Sequence, residues 1–490
     1  MKISDISKAV NAANEKDVIL ELKSKRYIPQ PDEEIAITAI DPHRHKIFDP
    51  TVRKDKWVKD DNVDNMEENV INVNGNDKDG HGMHREPVNR VGLALQQLIV
   101  NRAVSFTFGN PVKYNATTEN ENQDAIMKAF GKVLSGVKIN SIDRRMARAL
   151  FAFKECAEYW YPVGNPDKSH NIYGFNSPYK LRCALWSPMF GDTLYPYFDA
   201  TGDMVAFSRE YTRKDDGIKT ISYFETYTDE EICVWETGAD GFKIKDGYPR
   251  ANAIGKIPVV YGHQRKFETE DVNQLIDQLE TLLSNFADTN DYHAAPKIFV
   301  TGQINGWAKK GESGAVIEGE DGATMNYVSW QSAPESVKLE IDTLLKMIYT
   351  ITQTPDISFD SVKGLNVSGV ALQLLFMDAH LKVQDKREIL DEYLQRRANI
   401  IKAYLSKMNL AWESEMDALD IEPQIIPYIL KSDTDEINKW LNANGNKPLI
   451  SHKASVKAAS LSPDPESDFE QIEKETESDN YFATGEPVDA

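Results

Sequence analysis

The regular spacing of apolar positions is clearest in the middle of the chain. Five apolar residues there follow one another at intervals of 4, 3, 4 and 3: Val272, Ile276, Leu279, Leu283 and Phe286. This spacing predicts an amphipathic helix from roughly 267 to 292. A similar stripe predicts a second helix over 335–352. Ser368 is a suitable N-cap for a third helix over 368–409, which at 1.5 Å per residue would be about 60 Å long.

Other parts of the chain give shorter helical patterns. Residues 1–28 predict one amphipathic helix. Apolar positions from about 89 to 104 predict another, which ends at Gly109-Asn110-Pro111 because glycine and proline do not continue a helix. Two short helices are expected over 122–155. Near 423–461, smaller helices are expected in EPQIIPYILKS, SDTDEINKWLNANG and ISHKASVKAASL.

Alternating and β-branched runs replace the helical pattern between Tyr159 and Tyr261. Runs such as MVAFSREYT, TISYFETYT and ICVWET are separated by turn sequences such as DATGD and TGADG, which predicts an antiparallel meander. A smaller β-like insert, made of KIFVTG, GAVIEG and MNYVSW, lies between the helices predicted over 267–292 and 335–352. The chain is therefore predicted to have an α+β fold.

Three segments are polar and lack periodicity. Residues 31–88 have few large apolar side chains and predict an arm or a poorly packed loop. The stretch 354–367 is long for a connection between helices, and loops of about a dozen residues are commonly functional or disordered. The tail 462–490 has ten acidic residues against Lys474 alone, so it is predicted to be solvated or disordered.

Net charge and cysteine content narrow the classes of protein to which the chain can belong. The chain has 490 residues and a formal charge of −21, so it is long enough for two to four packed units. It is also acidic enough to be repelled by phosphates unless basic groups cluster locally. Tight binding of nucleic acid is therefore not expected, whereas a surface past which nucleic acid moves is compatible with this net charge. Three scattered cysteines fit a reducing cytoplasm, and neither a secretory signal nor a membrane span is expected.

Motifs for catalysis or metal binding are absent from the sequence. The patterns GxxxxGK[ST], HExxH, GxSxG and GxGxxG do not occur, so neither enzyme activity nor a cofactor is expected. His43 with His45, and His81 with His84, lie in polar sequence without a partner at a zinc-ligand spacing, and predict solvated loops. The stretch GNDKDGHGMHRE partly matches a calcium loop, but Gly75 replaces the first acidic ligand, so a turn-rich loop is the better interpretation.

Three longer stretches follow one another in a specific order: NRVGLALQQLIVNRAVSFTFGNPVKY, KIPVVYGHQRKFETEDVNQLIDQLETLLSNFADTNDY and ITQTPDISFDSVKGLNVSGVALQLL. Together they resemble the portal protein of tailed bacteriophages, particularly that of long-tailed phages. The first is similar to the family's early helix with its Gly-Asn-Pro turn. The second resembles the strand leading into a stem helix. The third resembles the junction of the second stem helix, a tunnel loop and a long wing helix. The resemblance covers about 89 to 475.

The resemblance implies a ring of about twelve copies at one capsid vertex, assembled in the host cytoplasm and kept in the virion. Double-stranded DNA would be packaged and ejected through its central channel. The implied segments are an N-terminal helix and polar arm (1–88), a wing (89–266), stem helices (267–293 and 334–353), a clip (294–333), a tunnel loop (354–367), a long helix with its return (368–429), a crown (430–465) and an acidic tail (466–490).

The implied site residues lie in the loop and the clip. The tunnel loop would present Asp356, Asp360, Ser361, Lys363, Gly364 and Asn366 to the channel. The clip would contact the terminase large subunit, and later the head–tail adaptor, through Ile298, Val300, Val316, Tyr327 and Trp330. The major capsid protein and a scaffold are further implied partners. Because the loop's aspartates repel phosphate, the duplex would pass with little counterion release and low friction.

Two other classes of protein remain as alternatives. A hydrolase without a recognisable motif would be exposed by turnover of candidate esters or nucleotides. A monomeric minor capsid or scaffold protein would form no rings in electron micrographs, whereas a portal would form rings with a central hole.

Overall fold

The structure is a computed structural model. It describes residues 1–9, 12, 14–26, 28–59, 83–165, 167–215, 219–238, 241–294, 297–301, 324–328, 334–357, 374, 376–428, 433–445, 449–459 and 464–483. The chain divides into two compact units. The first comprises Met1–Pro355 and Ala379–Pro427, and the second comprises Asp356–Asp378 and Tyr428–Ala490. Helices and antiparallel sheets occur together, which confirms the α+β prediction.

The helices of the described residues are α1 (Ile3–Ala9), α2 (Glu15–Ser24), α3 (Glu33–Ile40), α4 (Leu95–Phe108), α5 (Glu121–Val137), α6 (Ile139–Phe153), α7 (Asn273–Ala294), α8 (Pro334–Ile351), α9 (Met377–Met408), α10 (Glu413–Ala418), α11 (Asp433–Ala443), α12 (His452–Ala459) and α13 (Pro465–Ala483). No helix among these residues is long and apolar enough to cross a membrane.

The strands are β1 (Lys56–Lys59), β2 (Met83–Glu86), β3 (Lys113–Asn115), β4 (Glu155–Gly164), β5 (Tyr179–Trp186), β6 (Thr193–Phe198), β7 (Met204–Asp215), β8 (Lys219–Thr228), β9 (Glu231–Gly238), β10 (Gly241–Ile244), β11 (Arg250–Ala251), β12 (Val259–His263), β13 (Lys297–Thr301), β14 (Thr324–Val328) and β15 (Glu422–Gln424). Strands β6 to β10 pair in sequence order, which confirms the predicted meander between Thr193 and Ile244 but not over its whole predicted range from Tyr159 to Tyr261. A separate sheet has the order β12-β4-β5, and aromatic side chains such as Trp186, Phe207 and Tyr261 pack together in a buried cluster that joins the two sheets.

The N-terminus forms two helices where one was predicted over 1–28. Asn14 has an extended backbone, and its side chain accepts a hydrogen bond from the Asp17 amide at 3.2 Å. It therefore caps the start of α2. Both helices place apolar residues against the meander, where Leu22 packs with Phe224 and Trp235. The amphipathic pattern was thus correct, and the interruption between the two helices was not foreseen.

The part of the predicted polar arm that the structure describes is packed, so the expectation of a poorly packed loop is wrong for 33–57. This part contains α3 and two short 3₁₀ turns, Pro42–Arg44 and Lys46–Phe48. Ala36, His45 and Ile47 are buried. Residues 60–82 lie outside the described part of the chain, and the calcium-loop comparison falls within them except at its last four positions.

The long third helix is shorter than predicted. It begins at Met377 instead of Ser368, which lies outside the described residues, and it ends at Met408. Its 32 residues give a length of about 48 Å at 1.5 Å per residue. The helices predicted over 267–292 and 335–352 correspond to α7 and α8, and the two predicted short helices over 122–155 correspond to α5 and α6.

Two expectations near the C-terminus are also corrected. EPQIIPYILKS begins with strand β15, which pairs antiparallel with β3, because Pro423 and Pro427 do not fit the interior of a helix. The acidic tail contains the helix α13, so it is ordered through Ala483. Glutamate is a good helix former, and the Phe469 ring contacts the His452 ring of α12 at a centroid distance of 5.8 Å.

Candidate functional site

Helices α7 and α8 pack together through the apolar stripes that the sequence predicted. Ile276 and Leu279 of α7, Ile348 of α8 and Ile99 of α4 are buried in one cluster. The same helix α8 leaves three large apolar side chains exposed: Leu339 at 68%, Met347 at 49% and Ile351 at 52%. One side of α8 therefore packs in the core, and another side is apolar but is not covered by the described residues.

A basic segment lies along the acidic face of α7, and we call residues 45–56 the basic strap. Lys46 Nζ lies 2.8 Å from Asp277 Oδ2. Arg53 donates to Asp288 Oδ2 at 2.7 Å and to Asn285 Oδ1 at 2.8 Å. The contacted residues Asp277, Asn285 and Asp288 are eight, three and eleven positions apart, and these spacings place them along one face of α7. The strap thus neutralises part of this face within the chain itself.

His45 joins the basic strap to the core through a buried pair. Its Nδ1 lies 2.6 Å from Glu280 Oε1, and the side chains are 3% and 1% exposed. The Leu93 amide donates to the same oxygen at 2.7 Å. Burial opposes the charge of His45, but the hydrogen bond that the imidazole donates to Glu280, together with the charges of Glu280 and Asp277 and the bond to the Ala39 carbonyl, outweighs burial and raises the pKa of the imidazole. No group of three or more potential ligands arranged for a metal occurs among the described residues.

A second buried cluster, which we call the junction, lies where α8 ends and α9 begins. Lys382 Nζ of α9 donates to the Thr352 carbonyl at 2.7 Å and lies 2.5 Å from Glu268 Oε1. Lys386 Nζ lies 2.9 Å from Glu268 Oε2. Burial lowers the pKa of Lys382, although the charge of Glu268 and the hydrogen bond to it act in the opposite direction. Burial would raise the pKa of Glu268, but the two ammonium groups outweigh it and lower that pKa.

The chain leaves α8 through a short, well-bonded turn. Gln353 has a φ of 49°, a left-handed conformation typical of the end of a helix. The Thr354 amide donates to the Tyr349 carbonyl at 2.9 Å. Arg102 of α4 donates to the Pro355 carbonyl at 2.6 Å. The two residues after this turn, Asp356 and Ile357, are exposed.

A third buried cluster joins α9 to α6, β3 and β4. Arg397 donates through Nε to Glu158 Oε2 at 2.9 Å and through Nη1 to the Tyr114 hydroxyl at 3.0 Å. Its Nη2 lies 2.7 Å from Asp143 Oδ1 and also pairs with Glu158. Burial, together with the nearby Glu158 charge, raises the pKa of Asp143 to about 6 against the opposing effect of Arg397. The cluster holds one cation and two carboxyl groups.

Sequence reasoning missed all three clusters. A signal existed for the last one, because Arg397 falls at a position of α9 that its buried neighbours Leu390, Leu394 and Ile401 would assign to an apolar residue. A charge in an apolar stripe indicates a buried partner. The partner residues, however, are far away in the sequence and give no comparable pattern.

The structure describes only some of the predicted site residues. Ile298 and Val300 lie on β13, and Tyr327 lies on β14 directly opposite Ile298 in the antiparallel register. Asp356 is exposed just after the turn that follows α8. The remaining site residues lie outside the described part of the chain: Val316 and Trp330 of the clip, and Asp360, Ser361, Lys363, Gly364 and Asn366 of the loop.

The order of α7, the β13–β14 pair, α8 and the long helix α9 defines an α+β fold of the portal type. The model of the phage portal protein family, SPP1 Gp6-like, matches residues 53–481. The chain therefore belongs to this family of phage portal proteins, as the resemblance in the sequence predicted. No curated protein sequence matches the chain.

Three solved structures similar to this chain come from gene transfer agent particles. They are the neck of the empty particle computed with C6 symmetry (TM-score 0.37), the neck of the native particle computed with C12 symmetry (0.36) and the virion of the native particle (0.35). Each is 10% identical, and each alignment covers 75% of this chain and 89% of the other.

Proposed function

We propose that the chain assembles into a closed ring of about twelve copies around a channel for double-stranded DNA at one capsid vertex. Membership of the portal family supports this role. The observation that carries it further is the exposed apolar part of α8, whose residues Leu339, Met347 and Ile351 are about half exposed or more. Burying a Leu or Met side chain contributes about 1.5–3 kcal/mol, and a repeated head-to-tail interface closes into a ring when its rotation allows.

The ring interface can be tested with two matched double variants of α8. Leu339→Ser with Met347→Ser removes the apolar contact, whereas Asp342→Ser with Lys346→Ser changes exposed polar positions of the same helix and leaves the net charge unchanged. We expect the first variant to lower the yield of rings in electron micrographs and the second to retain it. Equal ring yields from both variants would refute the α8 interface.

Within the ring, α7 and α8 form the stem, and residues 294–333 form the clip. The backbone pairing of β13 with β14 supports a small β clip, and two strands alone are too few for independent stability, so pairing with a neighbouring subunit or partner is favoured. The clip docks the terminase large subunit and later the head–tail adaptor. Trp330→Asp should abolish docking or ring closure, and normal docking by this variant would remove the assignment.

The connector after α8 is the tunnel loop, which faces the moving duplex. Asp356 is exposed, and an aspartate near the duplex repels phosphate instead of retaining it. Replacing Asp356 and Asp360 by Lys adds four units of positive charge per subunit. We expect rings to form normally and DNA packaging to stall in a salt-dependent way. Wild-type levels of packaged DNA per particle in this variant would exclude the loop from the channel.

The remaining segments complete the proposal. Residues 368–409, including α9, link the tunnel loop to the wing, and 430–465 form the crown inside the head. The major capsid protein and a scaffold contact the outside of the ring, and assembly takes place in the host cytoplasm. Because the chain carries no recognisable nucleotide site, the energy for translocation comes from the motor that docks on the clip.

A further inference from the structure

The two ends of the segment 356–378 are fixed in the first unit. The chain enters the segment after Pro355 and leaves it at Ala379, and both residues belong to that unit. Helix α8 ends at Ile351 and α9 starts at Met377. Any force on the segment therefore acts on the bonds that hold these two ends.

One side chain bridges the two ends. Lys382 lies in the second turn of α9, and its ammonium donates to the carbonyl of Thr352, immediately after α8. The same ammonium pairs with Glu268, which precedes the 3₁₀ turn Glu270–Val272 at the start of α7. A single cation thus touches the approach to α7, the end of α8 and the beginning of α9. The Lys382 and Glu268 side chains are 9% and 5% exposed.

The geometry at Lys382 is specific because its charge is buried. A buried ammonium is tolerated only where oxygen atoms accept its hydrogen bonds. The Thr352 carbonyl is an acceptor with a fixed position, because the Thr352 amide is itself bonded to the Ile348 carbonyl at 3.1 Å. A shift of α9 along α8 would break this bond and leave the charge with fewer partners.

Lys386 provides an internal comparison. It lies one turn further along α9 and pairs with the same carboxylate, and it also donates to Gln264 at 3.1 Å. Among the described residues, its bonds go to Glu268 and Gln264, and none reaches the turn 352–355. Removal of Lys382 therefore leaves Glu268 paired, whereas removal of Lys386 leaves the bond to Thr352 intact.

We propose that Lys382 is a positioning residue that locks the end of α8 to the beginning of α9, and so fixes the distance between the two ends of the DNA-facing segment during transport. This proposal rests on the proposed function, because it assigns the segment between the two ends to the channel. Arg102 supports the same end of α8 from α4 through its bond to Pro355. The lock is a property of the chain itself and exists before a ring forms.

The test compares three full-length variants with the wild type. Lys382→Met keeps the length of the side chain and removes its charge and donors. Lys382→Arg keeps the charge, and Lys386→Met is the matched control. Each variant is measured for ring yield, for hydrogen exchange of the amides of Thr352 and Thr354, and for the DNA retained per particle.

We expect Lys382→Met to form rings, to exchange the Thr352 and Thr354 amides about tenfold faster or more, and to retain less DNA. Lys386→Met should leave all three measurements close to wild type, and Lys382→Arg should restore most of the protection. If Lys382→Met does not form rings, hydrogen exchange of the free chains of Lys382→Met and Lys386→Met carries the same comparison, because the bond from Lys382 to Thr352 lies within one chain.

The outcomes separate this proposal from the proposed function. Unchanged exchange in Lys382→Met, or an equal defect in Lys386→Met, would overturn the lock. Faster exchange with normal DNA retention would overturn the positioning role. A wild-type protein that forms no rings, or rings that carry no DNA, would refute the proposed function, while the exchange measurement on the free chain would still decide whether the lock exists.

Discussion

Asp143→Asn tests the charge balance of the buried Arg397 cluster. Arg397 is fully buried and faces two carboxyl groups, those of Glu158 and Asp143. With all three groups ionised, the cluster would carry one excess negative charge in a buried site. The pKa of Asp143, raised to about 6 by burial and by Glu158, indicates that protonation of this carboxyl removes the excess charge below about pH 6, whereas the charge is present above that pH. Asparagine has nearly the same shape and is always neutral.

The size of the effect on stability follows from the difference between the pKa of Asp143 in the folded chain and in the unfolded chain. An unfolded aspartate has a pKa near 3.8, and the folded group has a pKa of about 6. Between these values the folded chain binds more protons, so its stability falls as the pH rises. The favourable contribution is fully present below pH 3.8 and is lost as the pH rises through about 6. At about 1.4 kcal/mol per pKa unit, the whole change is about 3 kcal/mol.

The assay is urea unfolding of wild type and Asp143→Asn from about pH 4.5 to about pH 7.5. The difference in unfolding free energy should shift by about 2 kcal/mol in favour of the variant over this range. Asp124→Asn, which removes an exposed carboxyl from α5, serves as the matched control and shows the effect of losing a surface charge. A difference between wild type and Asp143→Asn that does not change with pH would refute the excess-charge argument.

Three further predictions follow from single contacts. In Gly262→Ala, the new Cβ would lie 2.7 Å from the Tyr393 ring, so we expect the free energy of unfolding in urea to fall by about 1–3 kcal/mol. Gly131→Ala, with open space around it, should raise that free energy by about 0.5–1 kcal/mol. Equal effects of the two substitutions would contradict this reasoning. The pKa of buried His45 is raised, so the protonated imidazole stabilises the basic strap. This contribution is fully present below pH 6.5 and is lost as the pH rises through the higher folded pKa. Hydrogen exchange of amides 46–48 should therefore accelerate there, and His45→Gln should flatten that pH profile. Truncation after Leu461 should leave the melting temperature nearly unchanged, because the described side chains of α13 are mostly exposed; a large drop would show that α13 stabilises the chain.

The sequence predicted best those elements that a single apolar stripe or alternating run defines. Helices α7 and α8 and the meander follow directly from local spacing, since each buries one continuous face. The ends of helices were less certain, because a cap such as Asn14 at the start of α2 depends on a few atoms. EPQIIPYILKS shows the same difficulty, because its two prolines outweigh an apolar content that alone would favour a helix.

Polar composition predicted the structure less well than the spacing of apolar residues did. It correctly described α13 as solvent-exposed but not its helical structure, because composition measures the tendency to stay in water and not the backbone preference of glutamate. It also concealed the basic strap, whose packing depends on ion pairs with α7 such as Arg53 with Asp288. Such pairs join residues more than 200 positions apart, so neither spacing nor local charge could predict them. The site residues of the loop and the clip stay predictions, and most of them lie outside the described part of the chain.

Buried charges in this chain lie mainly where elements meet. The Arg397 cluster joins α9 to α6 and β4, the junction joins α9 to the ends of α7 and α8, and His45 joins the strap to α7. An apolar contact tolerates small shifts, whereas a buried ion pair that shifts loses its partners and leaves a charge without solvent. Charges at these joints therefore fix how the elements are placed, while the apolar stripes hold them together. In the proposed ring, such fixed joints would present the exposed apolar surface of α8 to the neighbouring subunit at the same angle in every copy.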